Sequence, residues 1–265
     1  MTTVVLRRPY QTVFVIQTNC DKLVYLLRLQ YGRYHCDGED RCGSTITVVK
    51  RGASYRIDFG GEAIETDCPL EKIDSILFEH TRFDDRIFAM HGAAVEWQGQ
   101  AHLFLAATTR GKTTLAAYLT SQGFGYITDD CILLQKDNLL VVPFSTPLHL
   151  REGGLEVLRR YRAAPDNPTL LDDPVIRRYI HTPKNCVTEP LPLGRIFFIT
   201  RTEQENRVVP MSGNEKMAAL MKSPITDYPL TGEYVRFLSR LAQTADCRRL
   251  HYSDMAYVAE VIRHG

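Results

Sequence analysis

A lysine and several hydroxyl side chains are spaced along this chain as a phosphate site requires. The segment Gly111-Lys112-Thr113-Thr114 follows the apolar run Leu103-Phe104-Leu105 and precedes apolar residues at helical spacing. Backbone N–H groups at a helix N-terminus can bind a phosphate, a lysine neutralises its charge, and a hydroxyl holds Mg²⁺. The sequence therefore predicts a phosphate-binding loop, made of Thr108, Thr109, Arg110, Gly111, Lys112, Thr113 and Thr114.

This loop departs from the full pattern G-x-x-x-x-G-K-[ST] at its first position. Counting back from Lys112 places Ala106 where the first glycine belongs. A glycine there lets the backbone turn tightly and approach the phosphates closely. The alternative interpretation is an ordinary strand–loop–helix crossover with an exposed lysine. In a phosphate loop, too, we expect the side chain of Lys112 to be exposed.

Two adjacent carboxylates, Asp129 and Asp130, follow the predicted strand over residues 124–128. Phosphoryl transfer needs a base that orients the attacking hydroxyl and an acid that holds Mg²⁺. Successive side chains of a strand point in opposite directions, so that one carboxylate can face the substrate and the other the metal. Paired aspartates also occur in plain turns, and the loop upstream favours the functional interpretation.

His91 is a polar ring inside an apolar strand, and Gly92 follows it directly. A histidine in this setting is often a hydrogen-bonded core residue. Beside a nucleotide site it could instead orient a phosphate or tune the catalytic base.

The run over residues 90–134, MHGAAVEWQGQAHLFLAATTRGKTTLAAYLTSQGFGYITDDCILL, resembles the core of the HPr kinase/phosphorylase family. It is most similar to the short HPr-kinase-related members. The resemblance extends in order and spacing from residue 87 to the end of the chain. It implies an α/β fold with a P-loop kinase core of the HPr kinase type, a mixed sheet with flanking helices, over residues 86–265. Residues 1–85, which do not resemble the N-terminal domain of true HPr kinases, are predicted to form a small α+β domain.

The resemblance also implies roles for single residues. Lys112 and Thr113 match the loop lysine and the Mg²⁺-binding hydroxyl of the family. Asp129 matches the proposed catalytic base, and Asp130 matches its neighbour near the metal. The remaining matches are His91, the strand histidine, and Arg151, an arginine near the substrate phosphate. The departures are Ala106 and Thr109 in place of glycine and Thr108 in place of serine.

The function implied by the resemblance is an ATP- and Mg²⁺-dependent kinase, a transferase that acts on a hydroxyl group. The segment that binds the carrier protein in true HPr kinases is not recognisable. Related short kinases are found beside peptide-maturation or small-molecule pathways, so the resemblance implies a peptide or protein side chain (Ser/Thr) or a small molecule as the acceptor. The main alternative is a non-catalytic nucleotide- or peptide-binding partner with a degenerate loop. Nucleotidyl transfer or phosphorolysis at the same site is a further alternative.

Composition argues against a protein that binds extended nucleic acid and against one that spans a membrane. The 265 residues carry a formal net charge of +1, which argues against binding of extended nucleic acid by bulk electrostatics. No apolar run approaches the length of a membrane-spanning helix, and the N-terminus lacks the layout of a signal peptide. We therefore expect a cytoplasmic protein without a membrane partner, and a homo-oligomer is possible. The seven cysteines contain no C-x-x-C pair, which favours reduced thiols.

Hydrophobic periodicity predicts the elements that position these residues. In the first part of the chain we expect strands over residues 12–18, 44–50 and 54–59 and helices over 21–31 and 70–82. In the second part we expect strands over 87–97, 101–106, 124–128, 132–135, 139–142, 195–200, 208–211 and 248–252. Helices are expected directly after Gly111 and over 154–162, 215–221, 233–243 and 254–263. The stretches 163–173 and 182–193, rich in proline and polar residues, are predicted to be loops.

Overall fold

The computed structural model describes residues 1–7, 13–36, 43–82, 86–106, 111–172, 177–223 and 231–265. Of the predicted phosphate loop, Thr108, Thr109 and Arg110 lie outside the described residues. The chain divides into two compact units, Met1–Asp84 and Asp85–Gly265. Helices and sheets are mixed in both units, so the fold class is mixed α/β.

The first unit contains one five-stranded sheet and two α-helices. Its strands are β1 (Thr2–Arg7), β2 (Val13–Thr18), β3 (Ser44–Arg51), β4 (Ser54–Phe59) and β5 (Glu62–Thr66). Its helices are α1 (Asp21–Tyr31) and α2 (Pro69–Arg82), with a short 3₁₀ turn over Gly32–Tyr34. The strands pair in sequence order, and all pairs are antiparallel except β2 with β3, which α1 connects. The predicted strands and helices of this unit are confirmed, whereas β1 and β5 were not predicted.

The second unit contains eleven strands and five α-helices within its described residues. The strands are β6 (Ile87–Trp97), β7 (Gln100–Leu105), β8 (Gly125–Thr128), β9 (Cys131–Gln135), β10 (Leu140–Val142), β11 (Leu148–Leu150), β12 (Thr169–Asp172), β13 (Arg177–His181), β14 (Leu191–Arg201), β15 (Arg207–Pro210) and β16 (Asp246–Tyr252). The helices are α3 (Lys112–Ser121), α4 (Glu152–Arg160), α5 (Gly213–Leu220), α6 (Gly232–Thr244) and α7 (Met255–His264).

Eight of these strands form one mixed sheet in the order β10-β9-β6-β7-β14-β16-β15, with β8 paired to β6. The hairpin from β6 to β7 turns through Gln98 and Gly99, whose φ angles of 51° and 76° suit a two-residue turn. β14 runs parallel to both β7 and β16, and its first residues pair with β10. The strands β11, β13 and β12 form a separate antiparallel sheet.

The large sheet is covered on both faces. In β7, Phe104 packs in a core with α3, α4 and α7, whereas Leu103 and Leu105 pack in a second core with α5 and α6. All three side chains are buried, as the apolar run predicted. Within the described residues, no helix is long and apolar enough to cross a membrane.

Two predicted loops are wrong in part. The stretch 163–173 contains β12, and the stretch 182–193 ends inside β14, which begins at Leu191. β13, too, was not predicted as a strand. β12 and β13 are short and consist largely of polar or charged residues, and they are strands because they pair with each other. A periodic pattern within a single segment does not report pairing of this kind.

Gly92 in β6 lies at a tightly packed point of the sheet, and this predicts a stability difference between two glycines. A Cβ added at Gly92 would lie 2.7 Å from side-chain carbons of both Ile132 and Leu105. We expect Gly92→Ala to lower the free energy of unfolding by about 1–3 kcal/mol because of this overpacking. The matched control is Gly153→Ala in α4, where a Cβ meets nothing within 4 Å; it should raise stability by up to about 1 kcal/mol. Urea denaturation of both variants measures this, and equal stabilities would contradict the prediction.

Candidate functional site

Strand β6 changes its pairing partner beside the two aspartates. Through His91 it pairs with β9, and from Ala94 onward it pairs with β8. The turn between β8 and β9 therefore lies beside His91 and Gly92, and the backbone N–H of Gly92 donates to the carbonyl of Asp130 at 3.1 Å. This pairing brings His91 and the two predicted aspartates together.

Asp130 forms the solvent-facing part of the site. Its side chain is 72% exposed, and Oδ1 lies 3.0 Å from Nδ1 of His91. The hydrogen bond with His91 holds the pKa of Asp130 below its usual value. Asp130 is thus an accessible carboxylate that stays ionised at neutral pH.

Asp129 has the opposite environment. Its side chain is buried, and Oδ1 accepts a hydrogen bond of 2.8 Å from the hydroxyl of Tyr126. Burial raises the pKa of Asp129 to about 6, although hydrogen bonds from Tyr126 and Thr113 partly oppose this. A carboxylate with such a pKa suits a general base, which works best when its pKa is near the operating pH.

Lys112 is the first residue of α3, and Gly111 caps that helix in the left-handed conformation with φ of 84°. The prediction that Lys112 is exposed is wrong, because only 6% of this residue is accessible. Its Nζ instead reaches back to the end of β7 and donates to the carbonyl of Ala106 at 2.9 Å. Burial lowers the pKa of Lys112, while the charges of Asp130 and Asp129 raise it. The lysine therefore lies within electrostatic range of both aspartates.

The other described loop residues have different surroundings. Thr113 donates its hydroxyl to Asp129, so the two residues form one hydrogen-bonded unit. Thr114 lies against α4, where its Oγ1 is 2.8 Å from the position a Cβ on Gly154 would take. Arg151 is exposed at the N-cap of α4. Thr113 thus joins the aspartates, whereas Thr114 contributes to helix packing.

Sequence reasoning missed Tyr126 and His149, which interact with the aspartates, and Arg178, which interacts with His149. Tyr126 contacts Asp129 directly, and His149 and Arg178 belong to the small sheet. Burial lowers the pKa of His149, the charge of Asp130 raises it, and that of Arg178 lowers it. Tyr126 could have been found from its place three residues before Asp129. No local signal marks the other two, because pairing of β11 with β13 brings them together.

The oxygen donors of the site suit a hard cation. The carboxylate of Asp130 and the hydroxyl of Thr113 are of the type that Mg²⁺ prefers, and Mg²⁺ is commonly held by one or two carboxylates together with substrate phosphates. In the part of the chain that the structure describes, no group of three or more His, Cys, Asp or Glu side chains could hold a metal ion.

The sequence resembles known proteins only distantly, and the likeness is structural. No protein-family model matches the sequence, and no curated protein matches it. A solved structure, the HPr(Ser) kinase/phosphatase from Coxiella burnetii, aligns with 66% of this chain and 93% of its own, at 12% identity and a TM-score of 0.32. A likeness at this level indicates a distant structural relationship at most and assigns no residue roles.

The raised pKa of Asp129 predicts that its ionisation lowers the free energy of unfolding as the pH rises, which is the opposite of the usual effect of an aspartate. The pKa of Asp129 rises from 3.8 to about 6 on folding, so the folded state binds the extra proton between these values. Stability from this group is therefore present below pH 4 and is lost as the pH rises to 6. We expect Asp129→Asn to be more stable than the wild type at pH 7, by about 3 kcal/mol, and to have no advantage at pH 4.

Asp130→Asn is the matched control for this measurement. Its lowered pKa has the opposite sign, so this variant should lose stability at pH 7 relative to the wild type. Buried His102, with a pKa of about 4, also makes the free energy of unfolding depend on pH. This dependence is the same in every variant, so it cancels when each variant is compared with the wild type at the same pH. Urea denaturation at pH 4 and pH 7 measures these differences. A destabilised Asp129→Asn protein at pH 7 would contradict the raised pKa.

Proposed function

We propose that this protein is an ATP- and Mg²⁺-dependent kinase that transfers the γ-phosphoryl group to a hydroxyl of a peptide, a protein or a small molecule. The observation that supports this best is the arrangement of Lys112, Asp129 and Asp130. A lysine at the start of a helix lies within electrostatic range of two carboxylates, one buried with a raised pKa and one exposed and ionised. These are the groups that phosphoryl transfer requires.

The phosphates would bind at the N-terminus of α3. The backbone N–H groups at a helix N-terminus and the helix dipole favour an anion there, and Lys112 supplies a positive charge. Its Nζ, now on the carbonyl of Ala106, would turn to a phosphate oxygen. Thr108, Thr109 and Arg110 would complete the loop. In this proposal the helix N-terminus and Lys112 provide the affinity of the protein for the nucleotide phosphates.

The two aspartates would have different roles, one in binding Mg²⁺ and the other in accepting a proton. Asp130, together with the hydroxyl of Thr113, would hold Mg²⁺, which neutralises charge on the phosphates when bound. Asp129 would accept the proton of the attacking hydroxyl, a role that fits its pKa of about 6. His91 would keep Asp130 ionised and in position through their 3.0 Å contact. We place this activity in the cytoplasm, with no nucleic-acid or membrane partner.

One observation favours a second function, that of a non-catalytic partner that binds a nucleotide or peptide. The charge of Lys112 is already satisfied by the carbonyl of Ala106, the residue that stands in place of the first glycine of the loop pattern. A lysine that donates to a carbonyl of its own loop segment is expected where the site no longer binds a ligand. Phosphoryl transfer by the wild type decides between the two functions, since a non-catalytic partner can bind a nucleotide but does not transfer its phosphoryl group.

Lys112→Met tests the phosphate site. Methionine keeps an apolar stem in the buried space and removes the charge, so we expect Mg-ATP affinity to fall by one to two orders of magnitude while the fold survives. The shift of the melting temperature with Mg-ATP concentration measures this affinity. Lys184→Met, at an exposed lysine, is the control and should bind as the wild type does. Unchanged affinity in Lys112→Met would contradict the phosphate site, and a wild type that binds no Mg-ATP at millimolar concentration would favour the non-catalytic partner.

Substitution of each aspartate tests whether Asp129 acts as the base and Asp130 binds Mg²⁺. We expect Asp129→Asn to abolish transfer while Mg-ATP binding survives, since the base acts on the acceptor and not on the nucleotide. Asp130→Asn should instead raise the Mg²⁺ concentration that half-maximal nucleotide binding requires. Calorimetric Mg²⁺ titrations in the presence of ATP separate the two variants. Identical titrations together with equal losses of transfer would contradict the assignment.

A further inference from the structure

Arg201 is the last residue of β14, and the register of the large sheet places it beside the start of α3. Phe198 is the last residue of β14 that pairs with β7, so Arg201 lies about 10 Å beyond that pairing. On its other side, Arg201 pairs with Tyr252 of β16. The hydroxyl of Tyr252 lies 3.8 Å from the position that a Cβ on Gly111, the N-cap of α3, would take. Tyr252 therefore has Arg201 on one side and the beginning of α3 on the other.

The side chain of Arg201 lies on the face of the sheet that α3 covers. Side chains alternate between the two faces along a strand. Phe197 and Ile199 of β14 belong to the core formed with α3, α4 and α7, as does Tyr252. Arg201, two residues after Ile199, is therefore on the same face. Burial raises the pKa of Tyr252 to about 12 and the positive charge of Arg201 opposes this rise, which agrees with a guanidinium near the hydroxyl.

Arg201 differs from the other arginines of β14, β15 and β16 in its lack of a carboxylate partner. Each of the others lies 3.1 Å or less from a carboxylate oxygen; they are Arg195, Arg207, Arg248 and Arg249. Among the described residues, none forms an ion pair or a hydrogen bond with the side chain of Arg201. Residues 107–110, which precede α3, include no carboxylate. Arg201 is exposed, so an anion from solution can reach its guanidinium.

The strand order determines which part of a nucleotide can reach Arg201. β7, which leads into α3, lies between β6 and β14 in the sheet. Asp129 and Asp130 lie on the β6 side of β7, because both β8 and β9 pair with β6. Arg201 lies on the β14 side. Transfer requires the γ-phosphate near Asp129, the proposed base, so the phosphate chain would cross the start of α3 and bring the α-phosphate towards Arg201.

We propose that Arg201 binds the α-phosphate of the nucleotide, on the opposite side of the α3 N-terminus from the two aspartates. The inference rests on the kinase function proposed above and adds a nucleotide-binding residue outside the phosphate loop. A guanidinium presents paired N–H donors that match two oxygens of a phosphate. Because ATP and ADP both carry an α-phosphate, Arg201 contributes equally to the binding of the two nucleotides.

Substitution of Arg201 tests this contact with nucleotides that differ in the number of phosphates. Mg-ATP and Mg-ADP are each titrated calorimetrically into the wild type and into Arg201→Ala. We expect the variant to bind both nucleotides more weakly by the same factor, about tenfold, since the lost contact is common to the two. Arg201→Lys keeps the charge but not the paired donors, and its affinities should lie between those of the wild type and of Arg201→Ala. Equal melting temperatures without nucleotide check that both variants fold.

Arg249→Ala is the matched control. Arg249 is an exposed arginine of the same sheet, but it contacts Glu215 of α5 on the opposite face, so this variant should bind both nucleotides as the wild type does. A loss of affinity for Mg-ATP alone would place the contact at the γ-phosphate and overturn the inference. Unchanged affinities in Arg201→Ala, or an equal loss in Arg249→Ala, would overturn it as well.

The same proteins separate this inference from the proposed kinase. A wild type that binds both nucleotides but transfers no phosphoryl group would contradict the kinase, and the equal losses in Arg201→Ala would still support the α-phosphate contact. A wild type that binds neither nucleotide would overturn both.

Discussion

The hydrogen bond from the Gly92 N–H to the Asp130 carbonyl is the constraint on which the candidate site depends. It holds the turn between β8 and β9 against β6 at the point where that strand changes partners. Gly92 also allows close packing on this part of β6, because a Cβ there would lie 2.7 Å from side-chain carbons of Ile132 and Leu105. His91, the preceding residue, lies 3.0 Å from Asp130. The pairing of β6 with the turn between β8 and β9 thus sets where two carboxylates and a histidine meet.

The second feature of the site is a balance between opposite charges in different degrees of burial. Lys112 and Asp129 are both buried, and burial moves the pKa of each toward its neutral form. Their mutual attraction and the nearby charge of Asp130 keep Lys112 from losing its proton more readily. Desolvation of this kind costs folding free energy, and it leaves groups whose protonation a ligand can shift. The site is therefore costly for the fold and responsive to an incoming anion or cation.

The arrangement around these groups is asymmetric. Lys112 lies at the start of α3, where the helix terminus favours anions. The small sheet contributes His149, whose pKa the charge of Asp130 raises and that of Arg178 lowers. The exposed carboxylate of Asp130 is thus within electrostatic range of a buried lysine and of a histidine from a different sheet.

A feature of the fold or of the candidate site could be predicted from the sequence when it is determined by residues close together in the chain. Helices α1 and α2 and strands β6 and β7 were predicted because their periodicity lies within one segment. The glycine-lysine-threonine segment and the aspartate pair were found for the same reason, since each is a short run of consecutive residues. Strands β5, β12 and β13 were missed because they are polar and exist through pairing with neighbours.

The sequence alone determined which residue types are available for phosphate chemistry and the order in which strand, loop and helix present them. Only the tertiary structure decided their environments. It buried Lys112, whose exposure had been expected, and it gave two adjacent aspartates opposite pKa shifts. It also brought His149 into electrostatic range of Asp130 from a sheet that the sequence does not reveal. The physical reason is that burial, electrostatic proximity and strand pairing between distant segments arise when the chain packs, and no local pattern encodes them.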